Sequence, residues 1–79
     1  MGAPWSLFYV PREDAVYMAD GVNMRVVKLN MAGDVVGTLG GPGKAPGQFD
    51  QPHGVAVDSS GAIYVAEVGN QRVQKFVKR

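Results

Sequence analysis

Cysteine is absent, which excludes disulfide staples and thiol chemistry and leaves the redox compartment open. Histidine occurs once, at His53, and no nucleophile elbow accompanies it, so nothing resembles a nucleophile with a paired base. Charge of one sign is lacking too. Eight basic against seven acidic residues leave +1, which implies no polyanionic partner. No apolar run approaches the roughly 20 residues of a membrane span. The basic start of a secretory leader is missing, so neither a signal peptide nor a transmembrane segment is read in this chain, and the localisation stays unknown. Met1-Gly2-Ala3-Pro4-Trp5-Ser6 formally fits the short N-myristoylation pattern, but Trp5 is better explained as the start of a strand. Seventy-nine residues make one small domain at most.

What is present is a stretch of short β-type runs set between turn residues, and it has no helical period. Val55-Ala56-Val57 stops at Asp58-Ser59-Ser60-Gly61, a polar cluster ending in a residue free to take positive φ. Ile63-Tyr64-Val65-Ala66 stops at Gly69-Asn70, and Arg72 to Val77 follows. Short strands on short loops predict an antiparallel meander.

The pattern occurs twice. Val16-Tyr17-Met18-Ala19-Asp20 stands 47 residues before Ile63-Tyr64-Val65-Ala66-Glu67, and Asn23, Arg25, Val26, Lys28 and Leu29 match Asn70, Arg72, Val73, Lys75 and Phe76 at the same spacing. Pro4 lies 48 before Pro52, so the turn after the first strand differs in length by one residue between the copies. A period in the range 20–50 marks a solenoid or propeller, because one such unit cannot cover its own apolar faces. Gly47-Gln48-Phe49, Pro52, Gly54-Val55-Ala56-Val57-Asp58, Ile63-Tyr64-Val65-Ala66-Glu67 and Asn70-Gln71-Arg72-Val73-Gln74-Lys75-Phe76 together resemble an NHL repeat. The first copy, from Pro4 to Leu39, is a looser instance. The resemblance implies four-stranded blades around a central axis, commonly six to a ring; it is specific for fold and poor for function.

The expected fold is thus all-β, a pair of β-propeller blades within a single domain, 1–79. Residues 4–39 form a full first blade, with strands Trp5 to Val10, Ala15 to Ala19, Arg25 to Leu29 and Asp34 to Leu39. Residues 40–51 form an inter-blade linker rich in Gly and Pro. Residues 52–79 form a second blade of three strands, lacking its outer one. Gly41-Pro42-Gly43-Lys44 in the linker is not a phosphate loop, because Thr38 and Ala45 stand where that motif needs Gly and Ser or Thr. Apolar end faces and an open outer edge predict self-association, with three chains closing a six-bladed ring as a homotrimer.

Candidate site residues follow from what repeats and what does not. Asp20 with Arg25, and Glu67 with Arg72, recur in both copies and read as structural ion pairs bracing a turn. Asn23 and Asn70 are turn formers. Tyr17 and Tyr64 read as core residues with a polar tip, and Phe49 as a plug packed on the blade faces. Trp5 is expected to be largely buried near the axis or between blades. His53 stands in its place in the second copy, at the mouth of the innermost strand. A threefold ring would bring three His53 side chains toward the axis, and three histidines leave a zinc ion one open position.

Pro52-His53 also resembles the segment in peptidyl-hydroxyglycine amidating lyases, six-bladed propellers whose zinc is held by three histidines from separate blades. That resemblance implies a metal-ligand role for His53 only. Val68 follows Ala66-Glu67, where those lyases carry a basic residue for the substrate carboxylate.

Three functions compete. The leading one is a non-catalytic, self-associating NHL module, a scaffold binding a protein or small-molecule ligand at the propeller axis. The second is a zinc enzyme of the lyase type built on His53. The third is an RNA-binding surface, which needs a basic face with aromatics. Arg25, Lys28, Arg72, Lys75, Lys78 and Arg79 are instead dispersed and balanced by acids, so this ranks last.

Overall fold

β-branched and aromatic residues alternating with small or polar ones suit a pleated surface, and Gly, Asn and Asp close each run. A computed structural model describes residues 4–77; Met1 to Ala3, which begin the acylation pattern, and Lys78 and Arg79 lie outside the described residues. Strand β1 (Pro4–Val10) leads through a 3₁₀ turn at Pro11–Glu13 to β2 (Ala15–Asp20), β3 (Arg25–Asn30) and β4 (Val35–Leu39). After the linker come β5 (Pro52–Val57), β6 (Ile63–Glu67) and β7 (Arg72–Phe76). The protein is all-β, as its patterning predicts, and no helix among the described residues is long and apolar enough to cross a membrane.

The seven strands of the described residues pair antiparallel, in one sheet ordered β1-β2-β3-β4 and another ordered β5-β6-β7. The repeat extends to backbone detail. The register shifts between Pro4 and Ser6 in β1 and between Pro52 and Gly54 in β5, so Trp5 and His53 occupy matching bulges. Met24 and Gln71, 47 residues apart, both take left-handed backbone at φ 53° and 51°. Asp14 and Gly61 do the same at 49° and 91°, each ending the first turn of its copy. β5 begins at Pro52, which is tolerated because a strand's first residue need not donate to the ladder.

The core lies between the two sheets. Val10, Tyr17, Ala19 and Val26 of the first pack against Val55, Val57 and Val65 of the second. Within the second sheet, Val55, Val65 and Gln74 align across the strands on this inner face, as do Val57, Ile63 and Phe76. β1 and β2 lie against β5, whereas β4 makes no comparable contact with β7, so the sheets splay from their inner to their outer strands.

Phe49 fills the space between them. It is fully buried and meets Phe76 edge-on at 5.8 Å between ring centroids. The linker is shaped to deliver it: the Phe49 N–H donates to the Gly41 carbonyl at 2.7 Å, and the Gly43 N–H donates to the Phe49 carbonyl at 2.9 Å. Gly40 has φ +83°, and a Cβ there would collide with the Phe49 ring, so this position needs glycine twice over.

Candidate functional site

Each blade turns from its second to its third strand around one buried carboxylate. In the first blade, Asp20 accepts from the N–H groups of Val22 at 3.2 Å and Asn23 at 3.1 Å, from Asn23 Nδ2 at 2.9 Å and from Arg25 Nε at 3.4 Å. In the second, Glu67 accepts from Arg72 Nε at 2.6 Å, Asn70 Nδ2 at 2.8 Å, Gln74 Nε2 at 2.8 Å and the Asp50 N–H at 3.1 Å. The strand pairings Asp20↔Arg25 and Glu67↔Arg72 place acid and guanidinium opposite each other at the strand ends.

The second centre does more than its counterpart. Arg72 also donates through its terminal nitrogens to the carbonyls of Lys44 at 2.8 Å, Ala45 at 3.2 Å and Gln48 at 2.8 Å. Gln74 donates to the Gln48 carbonyl and accepts from the Gly47 N–H, and Asn70 donates to the Gly43 carbonyl. The linker is thereby tied to the second blade through Glu67, Asn70, Arg72 and Gln74. Burial pushes the Glu67 carboxyl up, but the hydrogen bonds from Arg72, Asn70, Gln74 and the Asp50 N–H outweigh it and hold the group lowered to about 2. An acceptor so low, with its oxygens committed to donors, cannot serve as a base near neutrality. This is a brace.

A second repeated device secures the tyrosines. Tyr17 donates to Glu13 at 2.7 Å, Lys28 Nζ lies 3.1 Å from the same carboxylate oxygen, and its charge sits 5.7 Å from the Tyr17 ring centroid. Burial and the Glu13 hydrogen bond raise the Tyr17 hydroxyl above its ordinary value. Tyr64 donates to Asp58 at 2.9 Å, with Lys75 Nζ 5.5 Å from its ring centroid. The Ser60 hydroxyl, together with Tyr64 and the N–H groups of Ala62 and Ser60, overcomes burial and holds Asp58 lowered to about 2. The two acids stand at different places in their turns, so the sequence repeat did not reveal these trios; a carboxylate in the turn before each tyrosine was the available signal. Among the described residues, no buried side-chain polar atom lacks a partner.

Trp5 departs from expectation. It is 41% exposed rather than largely buried, because its bulge lifts it to the rim, where the indole covers Gly21 and leans on His53 at 5.5 Å between ring centroids. A side chain at Gly21 would collide with the indole. His53 is exposed, with Trp5 against its ring. Among the described residues, no three His, Cys, Asp or Glu side chains come together to hold a metal. The donors of one chain therefore do not fit a zinc centre, which would need His53 from several chains.

The remaining feature is a pair of open faces. On the outer face of the first sheet, Leu7 and Tyr9 project at 62% and 50% exposure. The outer face of the second carries small residues, Gly54, Ala56 and Ala66, beside Tyr64 and the exposed Val73, and with Ser6 of β1 at its border it forms an open hollow of about 300 Å³.

Residues 49–76 match the family model described as NHL repeat. NHL repeat-containing protein 3 of Homo sapiens is 37% identical over 73 residues, covering 89% of this chain and 21% of that protein. The Mus musculus protein of the same name shows the same identity and coverage. The chain thus spans about a fifth of the length of these relatives.

Proposed function

The chain carries an NHL repeat at residues 49–76, and from that premise we propose that it is a non-catalytic propeller module whose blades stack head to tail into a closed ring, a scaffold for ligands at the axis. The observation that carries this reading is the correspondence between its internal interface and its two open faces. Inside the molecule, the Tyr17, Ala19 and Val26 face of the first blade packs on the Val55, Val57 and Val65 face of the second. The open face of the second blade presents the repeat equivalents of the former, Tyr64, Ala66 and Val73. The outer face of the first blade carries the equivalents of the latter, of which Leu7 and Tyr9 are exposed and Met18 is buried.

The two faces also complement each other in relief. One is a hollow floored by Gly54, Ala56 and Ala66, and the other raises Leu7 and Tyr9. Stacking the second blade of one copy on the first blade of the next repeats the contact the chain already makes with itself. Such a head-to-tail contact must close or grow without limit, and three copies would give six blades. Closure would gather the exposed Trp5 and His53 side chains of each copy around one rim.

Mass in solution tests this. Sedimentation should report about 25 kDa, three times the 8.4 kDa of one chain. Val73→Glu should reduce the mass to that of one chain by placing a charge in the contact. A folded wild-type monomer at micromolar concentration would refute the assembly.

A further inference from the structure

Hydrogen bonds tie the two blades at opposite ends of their contact, and the two ties differ in chemistry. At the end where β1 turns into β2, Arg12 Nη2 donates to the Asp58 carbonyl at 2.8 Å. At the other end the N–H of Gln51, the residue just before β5, donates to Met24 Sδ at 3.1 Å. Met24 closes the turn before β3, is half-buried, and packs against the core cluster that the blades share. The repeat does not call for sulfur at this position. Gln71, 47 residues on, holds the same left-handed backbone with an exposed polar side chain. Elsewhere among the described residues, Met18 is buried and Met31 stands exposed in the turn after β3.

A thioether sulfur is a weak acceptor with two lone pairs. The Gln51 N–H engages one of them and the core covers part of the side chain, so an oxidant reaches the sulfur at the lone pair that remains. We propose that Met24 is a site of oxidative modification: hydrogen peroxide converts its thioether to one sulfoxide epimer, and that product loosens the blades at this end. In the step, the free Sδ lone pair attacks a peroxide oxygen, an S–O bond forms and the O–O bond breaks. Sulfur is oxidised by two electrons and the peroxide is reduced. The departing hydroxide takes the proton of the transferred oxygen and leaves as water. The product is polar where the thioether was apolar, and its sulfur is electron-poor. The Gln51 N–H thereby loses its acceptor, and a polar S–O bond is set beside the apolar cluster. Trp5 and His53 meet across the blades at this same end, with the indole over Gly21 of the Met24 turn, so loosening should separate their rings. Reduction of the sulfoxide restores the thioether, which makes the change reversible.

The test treats the full chain with limiting hydrogen peroxide beside Met24→Leu, a swap of similar volume that keeps the packing. Peptide mapping should find one sulfoxide epimer at Met24 in at least about tenfold excess, and both epimers in comparable amounts at the exposed Met31. The oxidised wild type should unfold about 4 °C or more below the untreated protein, with a shift in the emission of its single tryptophan. Met24→Leu given the same dose should keep its midpoint and its emission. Of the two epimer-specific methionine sulfoxide reductases, one and not the other should reverse both changes. The tie lies within one chain, so this outcome does not depend on stacking between copies. Equal epimers at Met24, a midpoint that its oxidation leaves unmoved, or the same loss in Met24→Leu overturns the proposal.

Discussion

Glu67 illustrates how much one side chain can organise when it is buried with enough donors. Its carboxylate joins the turn after β6 to β7 and, through Arg72 and Gln74, to the linker that positions Phe49. Its folded value, lowered to about 2 from an ordinary 4.5, makes it a source of acid sensitivity. A depressed carboxyl contributes stability that is complete above its unfolded value and is lost as pH falls through its folded one. The contribution should therefore be full above about pH 4.5 and should fade toward pH 2. Its size near neutrality is on the order of 3 kcal/mol. Glu67→Gln should destabilise the protein by about 2–3 kcal/mol at pH 7, and the gap to wild type should narrow as pH falls through that window. Urea unfolding of both proteins across pH 2–7 checks this; a gap independent of pH would show that Glu67 is not the titrating group.

At the scale of elements, the tight turn between the second and third strands of each blade is the most constrained piece of backbone. Gln71 and Met24 hold left-handed conformations that cost an ordinary residue about 1–2 kcal/mol. The Asp50 carboxylate lies against Gly69 and the indole of Trp5 against Gly21, so each turn is closely covered as well as bent. Gln71 is exposed, which makes it the cleaner place to test the strain. Gln71→Gly should leave stability unchanged or raise it by up to about 1 kcal/mol, because relief of strain offsets the added freedom of the unfolded chain. Gln71→Val should lower it by about 1–2 kcal/mol, since a β-branched residue tolerates positive φ least. Thermal unfolding of the two variants decides the matter; equal midpoints would place no strain there.

At the largest scale, the two blades formed by the described residues cover one pair of faces between them. Leu7, Tyr9 and Val73 remain in water, and without disulfides the chain has few other means of stabilisation. If stacking buries these faces, unfolding is coupled to dissociation and the thermal midpoint must depend on concentration. Dilution from about 100 to about 1 μM should lower the midpoint of the wild type by several degrees and leave that of Val73→Glu unchanged. A wild-type midpoint independent of concentration would mean that the two-blade unit stands alone.

The sequence by itself determined the strands and their order, because period-2 patterning and turn residues act locally and a 47-residue repeat requires equivalent positions to adopt equivalent structure. It also showed that the second sheet has three strands and that an acid and an arginine recur at each turn. Only the tertiary structure decided what those acids hold. Arg72 reaches carbonyls 24 to 28 residues away, and no local pattern encodes contacts across a folded linker. The bulges at Trp5 and His53 were equally invisible, since register belongs to a pair of strands and not to one. Burial of Trp5 was expected from its size, yet the bulge aims it along the rim toward His53. The splay from inner to outer strands is likewise a property of two sheets packed together. Side-chain preference is written residue by residue, whereas the spaces between layers exist only once the layers meet.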